Sequence, residues 1–95
     1  MKYTIRYSGQ FKRSYKLCKK RGLDISKLEQ VIRLLAQNGS LPQEYNPHKL
    51  VGRKWNGYWE CHIEPNWLLI WDQNDTELIL LLLDTGTHSD LFGKR

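Results

Sequence analysis

Hydrophobic and polar residues change period twice along this chain. Residues 3–7 alternate, with Tyr3, Ile5 and Tyr7 on one face and Thr4 and Arg6 on the other, which predicts a short strand. Ser8 then suits a helix N-cap. Phe11, Tyr15 and Cys18 recur at i, i+4 and i+7, one face of a helix that Gly22 should stop. A second helix begins at Asp24 or Ser26. Asp24 is a good cap, and Ser26 with Glu29 has capping-box spacing. Its apolar stripe is Ile25, Leu28, Val31, Ile32 and Leu35, and Asn38-Gly39 ends it. So short a link between helices predicts an antiparallel helix hairpin.

Residues 41–47 read as loop, and strand signals follow. Leu50 and Val51 suggest a short strand. Residues 58–64 alternate, with Trp59, Cys61 and Ile63 facing one way and Tyr58, Glu60, His62 and Glu64 the other. Pro65-Asn66 signals a turn. Residues 67–71 and 78–83 are apolar throughout and joined by residues 72–75. They predict a hairpin covered on both faces, or one whose open face awaits a partner. A helical turn capped by Ser89 should follow. The order β-α-α-β-β-β-β predicts an α+β fold, with the helix hairpin on one face of a mainly antiparallel sheet. Trp59, Cys61 and Ile63 should point at the helices, leaving His62 on the opposite face.

Ninety-five residues suit one domain, residues 1–95. Charge changes the picture more than length does. Residues 1–34 hold ten bases against Asp24 and Glu29, a balance of +8, while the rest of the chain carries −3. Such a basic segment attracts polyanions: nucleic acid, an acidic protein or an anionic membrane surface. It equally describes a solvated helix face. Two cysteines build no disulfide framework, and no signal peptide or membrane span is evident. A reducing, cytoplasmic location and no membrane attachment are therefore expected.

The candidate chemistry lies in the three histidines, His48, His62 and His88. Imidazole moves protons near neutral pH, and His88 sits in a turn straight after a buried strand. Each has an ordinary reading as well. His48 could be a surface loop residue, His62 a cross-strand polar partner and His88 a helix N-terminal residue. A three-histidine zinc site is a further reading, but no two histidines have helical ligand spacing and neither cysteine shares the His62 face. No metal and no cofactor are expected. Trp67 and Phe92 could be platforms for a nucleobase, and Trp67 could equally be core. Trp55, Trp59 and Trp71 read as core or partner-facing anchors. Cys18 and Cys61 read as small core residues.

Four segments carry a resemblance. Tyr7-Ser8-Gly9-Gln10-Phe11-Lys12, Pro47-His48-Lys49-Leu50, the run from Gly57-Tyr58 through His62-Ile63-Glu64-Pro65-Asn66-Trp67 to Ile70, and Thr85-Gly86-Thr87-His88-Ser89-Asp90-Leu91-Phe92 together resemble the YafQ-like branch of the RelE/ParE toxin superfamily. The resemblance spans nearly the whole chain and agrees with the order of elements. It implies a ribosome-dependent endoribonuclease that cuts mRNA in the A site and is neutralised by a cognate antitoxin. It also implies an active site containing His48, His62 and His88, with Trp67 and Phe92 holding the RNA. His88 would be the general acid and His62 or His48 the general base of a metal-independent cleavage by the RNA's own 2′-OH.

This chain departs from that pattern twice. Asn66 stands where Asp is usual, and Asp84 where Arg is common. Asn66 can hydrogen-bond but cannot act as a base. Asp84 cannot stabilise a developing negative charge. Arg53, Lys54, Lys49 or the terminal Lys94 and Arg95 would have to supply that cation, or Asp84 would orient a histidine. The basic helix surface would meet ribosomal RNA, an acidic antitoxin segment, or both, and the apolar hairpin could offer the antitoxin an edge or groove. The rival implications are a topoisomerase-inhibiting toxin of the same fold, which needs no histidine cluster, and an inactive RNA- or protein-binding module.

Overall fold

The computed structural model describes residues 1–93. Strand β1 (Thr4–Tyr7) leads into α1 (Gly9–Lys20) and α2 (Ile25–Asn38). After a 3-10 turn at Gln43–Tyr45 come β2 (His48–Lys49), β3 (Trp59–Glu64), β4 (Trp67–Asn74), β5 (Ile79–Gly86) and α3 (His88–Phe92). The five strands lie in the order β1-β5-β4-β3-β2. Only β1 with β5 is parallel, the connection that the helix hairpin makes possible.

The helix starts follow local chemistry. The Ser8 hydroxyl accepts from the Phe11 N–H. Asp24, not Ser26, caps α2, because its carboxylate accepts from the N–H and hydroxyl of Ser26. Gly39 ends α2 in the left-handed region at φ 71°. It also lets the Tyr3 ring close over the helix end, where a Cβ would lie 2.6 Å from the ring.

One main core lies between sheet and helices. Phe11, Cys18, Leu28, Val31 and Leu35 meet Cys61, Ile63, Leu69, Trp71, Leu80 and Leu82. The strand alternation thus puts Trp59, Cys61 and Ile63 on the helix side, as predicted, and stacks Trp59 on Trp71 across β3 and β4 at 6.1 Å. Burial pushes the thiols of both Cys18 and Cys61 up, away from reactivity.

The doubly apolar hairpin has its explanation on the other face. There Leu68, Ile70 and Leu91 form a second, smaller core, roofed by Leu50, Trp55, Tyr58 and Leu83. The segment between β2 and β3, together with α3, covers that face. Both hairpin strands are interior to the sheet, so they offer no edge to a partner. The exposed edges are β1 and the two-residue β2.

Two sequence expectations shift. The short strand is His48–Lys49 rather than Leu50 and Val51. Val51 is exposed, because the chain turns at Gly52 and returns at Gly57, whose N–H bonds the Leu50 carbonyl. The last helix begins at His88 with Thr87 as its cap, not at Ser89. Among the described residues no helix is long and apolar enough to cross a membrane.

Candidate active site

Register decides which side chains meet. His48 lies opposite Glu60 across β2 and β3, so its ring falls on the face away from the helices, beside His62 two residues further along β3. A β-bulge between His62 and Glu64 bends the end of the hairpin. The strand β5 ends at Gly86 beside Leu68 of β4, delivering His88 to the same face. The rings form a row: His48 to His62 at 6.3 Å between centroids, His62 to His88 at 6.0 Å, and His88 to Phe92 at 6.0 Å. All three predicted histidines and Phe92 are therefore brought together, and Phe92 is 44% exposed.

The contacts of the rings differ. His48 Nδ1 faces the Asn46 carbonyl at 2.8 Å, and its Nε2 faces Glu60 Oε1 at 3.0 Å. Both partners are acceptors, so each ring nitrogen of His48 already faces a protein oxygen. His62 Nε2 is 3.8 Å from the same Glu60 oxygen, an ion-pair distance beyond hydrogen-bond length. His88 Nδ1 lies 3.3 Å from Asn66 Oδ1, which also accepts from the His88 backbone N–H. With Nδ1–H donating to Asn66, the Nε2 of His88 is the nitrogen left for a substrate.

Glu60 was not singled out by the sequence, yet it sits beneath two of the three rings. It is 4% exposed, and its Oε2 has no hydrogen-bond partner among the described residues. A buried carboxylate is costly unless paired, and the two imidazoles are what it pairs with. The available signal was the i, i+2 spacing of Glu60 and His62 on a strand.

The supporting residues divide. Lys54 stays on the site's side, its ammonium 5.0 Å over the Trp55 ring and at the rim of a cavity of about 250 Å³ shared with Asp90, Leu91 and Phe92. Arg53 beside it is exposed. Lys49 pairs with Trp59 and lies 5.8 Å from that ring, on the helix side of the sheet, so it does not face the histidines. Lys94 and Arg95 fall outside the described residues.

Asp84 also departs from expectation. It is 6% exposed and accepts from the Ser14 hydroxyl and the Thr85 N–H, so it serves α1 rather than an imidazole. Burial raises its carboxyl above the ordinary range. The wild type therefore loses stability as pH rises from the unfolded carboxylate range through the native value, because the native fold disfavours the charge. Asp84→Asn, which keeps the acceptor, should melt higher than wild type at pH 7. The difference should vanish below about pH 3 in melts followed by circular dichroism.

Trp67 is corrected as well. It is 2% exposed, packs in the main core and donates from Nε1 to the Thr85 hydroxyl at 3.0 Å, so it offers no face to a base. Two substitutions should separate the roles. Trp67→Leu should cost about 2–4 kcal/mol of stability without lowering cleavage per folded molecule. Phe92→Leu should leave melting nearly unchanged and weaken RNA engagement by about tenfold or more, the value of one lost stack. Paired melting and cleavage assays check both.

Known proteins share this fold. A family model described as a bacterial toxin of type II toxin–antitoxin systems, YafQ, matches residues 3–93. The chain is 43% identical over 90 residues to the mRNA interferase toxin YafQ of Escherichia coli, covering 94% of this chain and 95% of that one. A crystal structure of Escherichia coli YafQ superposes with a TM-score of 0.87 at 41% identity, covering 96% of this chain and 99% of that chain. The structure of the Escherichia coli DinJ-YafQ toxin–antitoxin complex gives 0.86 at 41% identity, covering 98% of this chain and 100% of the matched chain.

Proposed function

Because the chain belongs to the YafQ family of bacterial type II toxins, we propose that it is an mRNA interferase, an endoribonuclease that cleaves mRNA and is held in check by a cognate antitoxin. The observation that carries the reading is the row of His62, His88 and Phe92, which leaves a gap between two imidazoles beside an exposed ring.

RNA is cut when its 2′-OH attacks the adjacent phosphorus. In this reading His62 takes the 2′-OH proton, since both ring nitrogens of His48 are already turned to protein oxygens. The new 2′-O–P bond forms and the P–O5′ bond breaks. His88 delivers a proton to the leaving 5′-oxygen, so the products are a 2′,3′-cyclic phosphate and a 5′-OH. Two positioned proton carriers are each worth about 10²–10⁴-fold. Glu60 holds His48 and balances the charge that His62 gains. Asn66 holds the ring of His88 in one orientation. Lys54 and Arg53 are the cations that face the developing phosphorane charge, and Phe92 stacks on a base. Lewis-acid chemistry is not needed for any step.

The exposed bases of α1, namely Lys12, Arg13, Lys16, Lys19 and Lys20, favour ribosomal RNA as the surface on which the toxin docks while mRNA enters the A site. The antitoxin would bind across part of the same basic surface. A groove of about 710 Å³ runs beside the edge strand β1, floored by Ile5, Tyr7, Phe11 and Ile32 and rimmed by four bases, Lys12, Lys16, Lys19 and Arg33, against one acid, Glu29. An acidic, amphipathic antitoxin segment matches both its floor and its rim. Such a toxin works in the cytoplasm, where ribosomes are.

Defined mRNA on purified ribosomes provides the test. The chain should cut the programmed mRNA, leave the same RNA largely intact without ribosomes, and stop cutting when the antitoxin is added. Ribosome binding without any cut would favour a binding module in place of a nuclease.

A further inference from the structure

Helix α3 carries His88 at its first position and Phe92 at its last, yet it is only five residues long. A helix so short has little stability of its own, so something must hold it. Leu91 anchors it from below, 1% exposed, and its carbonyl accepts from Trp55 Nε1 at 3.1 Å. The N-terminal turn, where His88 sits, is held by Asp90.

The Asp90 carboxylate has three jobs at once. Its Oδ2 accepts from the Thr87 N–H at 2.9 Å and closes a capping box, the Thr87 hydroxyl accepting in turn from the Asp90 N–H. It packs directly over Gly86, where a Cβ would lie 2.7 Å from Oδ2. It also accepts from both terminal nitrogens of Arg21, at 2.8 and 3.4 Å. Arg21 is the C-cap of α1, so the fork joins the end of that helix to the start of α3.

We propose that Arg21 and Asp90 are a positioning pair for the reaction: the Arg21 fork, acting through Asp90, fixes the first turn of α3 and thereby the orientation of the His88 imidazole toward the scissile phosphate. Arg21 touches neither His88 nor RNA in this role. The inference rests on the acid role proposed above for His88. Arg21 belongs to the basic end of α1, so the competing role for it is a plain phosphate contact. The two roles differ in what they move. A phosphate contact changes binding, and a positioning contact changes turnover.

The test combines kinetics with imidazole resonances of isotope-labelled protein. Arg21→Ala should lower kcat by about tenfold, with KM for programmed ribosomes changed by less than about twofold. An exposed ion pair adds little to stability, so Tm should move by less than about 5 °C. Arg21→Lys, which restores one charged contact, should recover most of the turnover. The ring resonances of His88 should shift or broaden in Arg21→Ala while those of His48 and His62 stay in place. Added to Asp90→Asn, Arg21→Ala should cost far less than it does alone, because the pair acts as a unit.

A wild-type kcat with unmoved His88 resonances would overturn the proposal. So would a loss seen only in KM, or losses that simply add. If wild type itself does not cleave, the acid role fails, and the resonance measurements still decide whether Arg21 orients the ring.

Discussion

His88→Ala should lower mRNA cleavage on ribosomes by about 10²–10⁴-fold, the value of one positioned acid, while the protein stays folded. The expectation of intact folding comes from where the residue sits. His88 is exposed at the start of α3, and the helix is held by Leu91, Thr87 and Asp90 rather than by the imidazole. Its ring contacts are Asn66, 3.3 Å away, and the neighbouring rings of His62 and Phe92. A substrate whose leaving 5′-oxygen is made a far weaker base should rescue much of the loss, since it no longer needs the acid. Single-turnover cleavage with such a bridging 5′-thio RNA checks this. Wild-type rates for His88→Ala would remove the acid from the mechanism.

The second large effect separates two histidines that the sequence left interchangeable. His62→Ala should cost about as much as His88→Ala, because it removes the proposed base. His48→Ala should cost less, about tenfold, because His48 works through Glu60. Glu60→Gln should fall between them. It keeps the shape of the side chain and removes the charge that holds His48 and steadies His62. The physical distinction lies in the ring nitrogens. Those of His48 face the Asn46 carbonyl and Glu60 at hydrogen-bond distance, whereas among the described residues the polar neighbour of His62 is Glu60, at 3.8 Å. Single-turnover rates for the three variants, with the same ribosomes and mRNA, give the order. A loss for His48→Ala that exceeds that for His62→Ala would reverse the assignment.

The reasons for what could be read from residues alone are local. Helix stripes and caps are short-range chemistry, so Ser8 and the ends of both long helices were legible. Strand alternation likewise separated Cys61 and Ile63 from His62. Register is not short-range. His48 joins the site and Lys49 leaves it because β2 pairs at Glu60 and Trp59, and a slip of one residue would exchange them. Trp67 could be read from the residues either as a platform for a base or as core, since it opens a strand after a turn. The bulge at His62 and Glu64, and the Thr85 hydroxyl across the hairpin, place it in the core instead. Asp84 showed only that a common cation was missing. That it would reach Ser14 of α1 depended on the parallel β1–β5 pairing and the helix packed over it. Glu60 was passed over because acids on strands are usually solvated, and its pairing with His48 at 3.0 Å depends on the β2–β3 register.

The central claim is that two imidazoles 6.0 Å apart exchange protons with the RNA's own 2′-OH and 5′-oxygen. Programming ribosomes with mRNA carrying a single 2′-deoxy nucleotide at the cleaved position tests it most directly. The account predicts that wild-type protein cuts the all-ribose message to leave a 2′,3′-cyclic phosphate and a 5′-OH, and leaves the deoxy-substituted bond whole. Cutting of the deoxy bond at an undiminished rate, or ends bearing a 5′-phosphate, would contradict it.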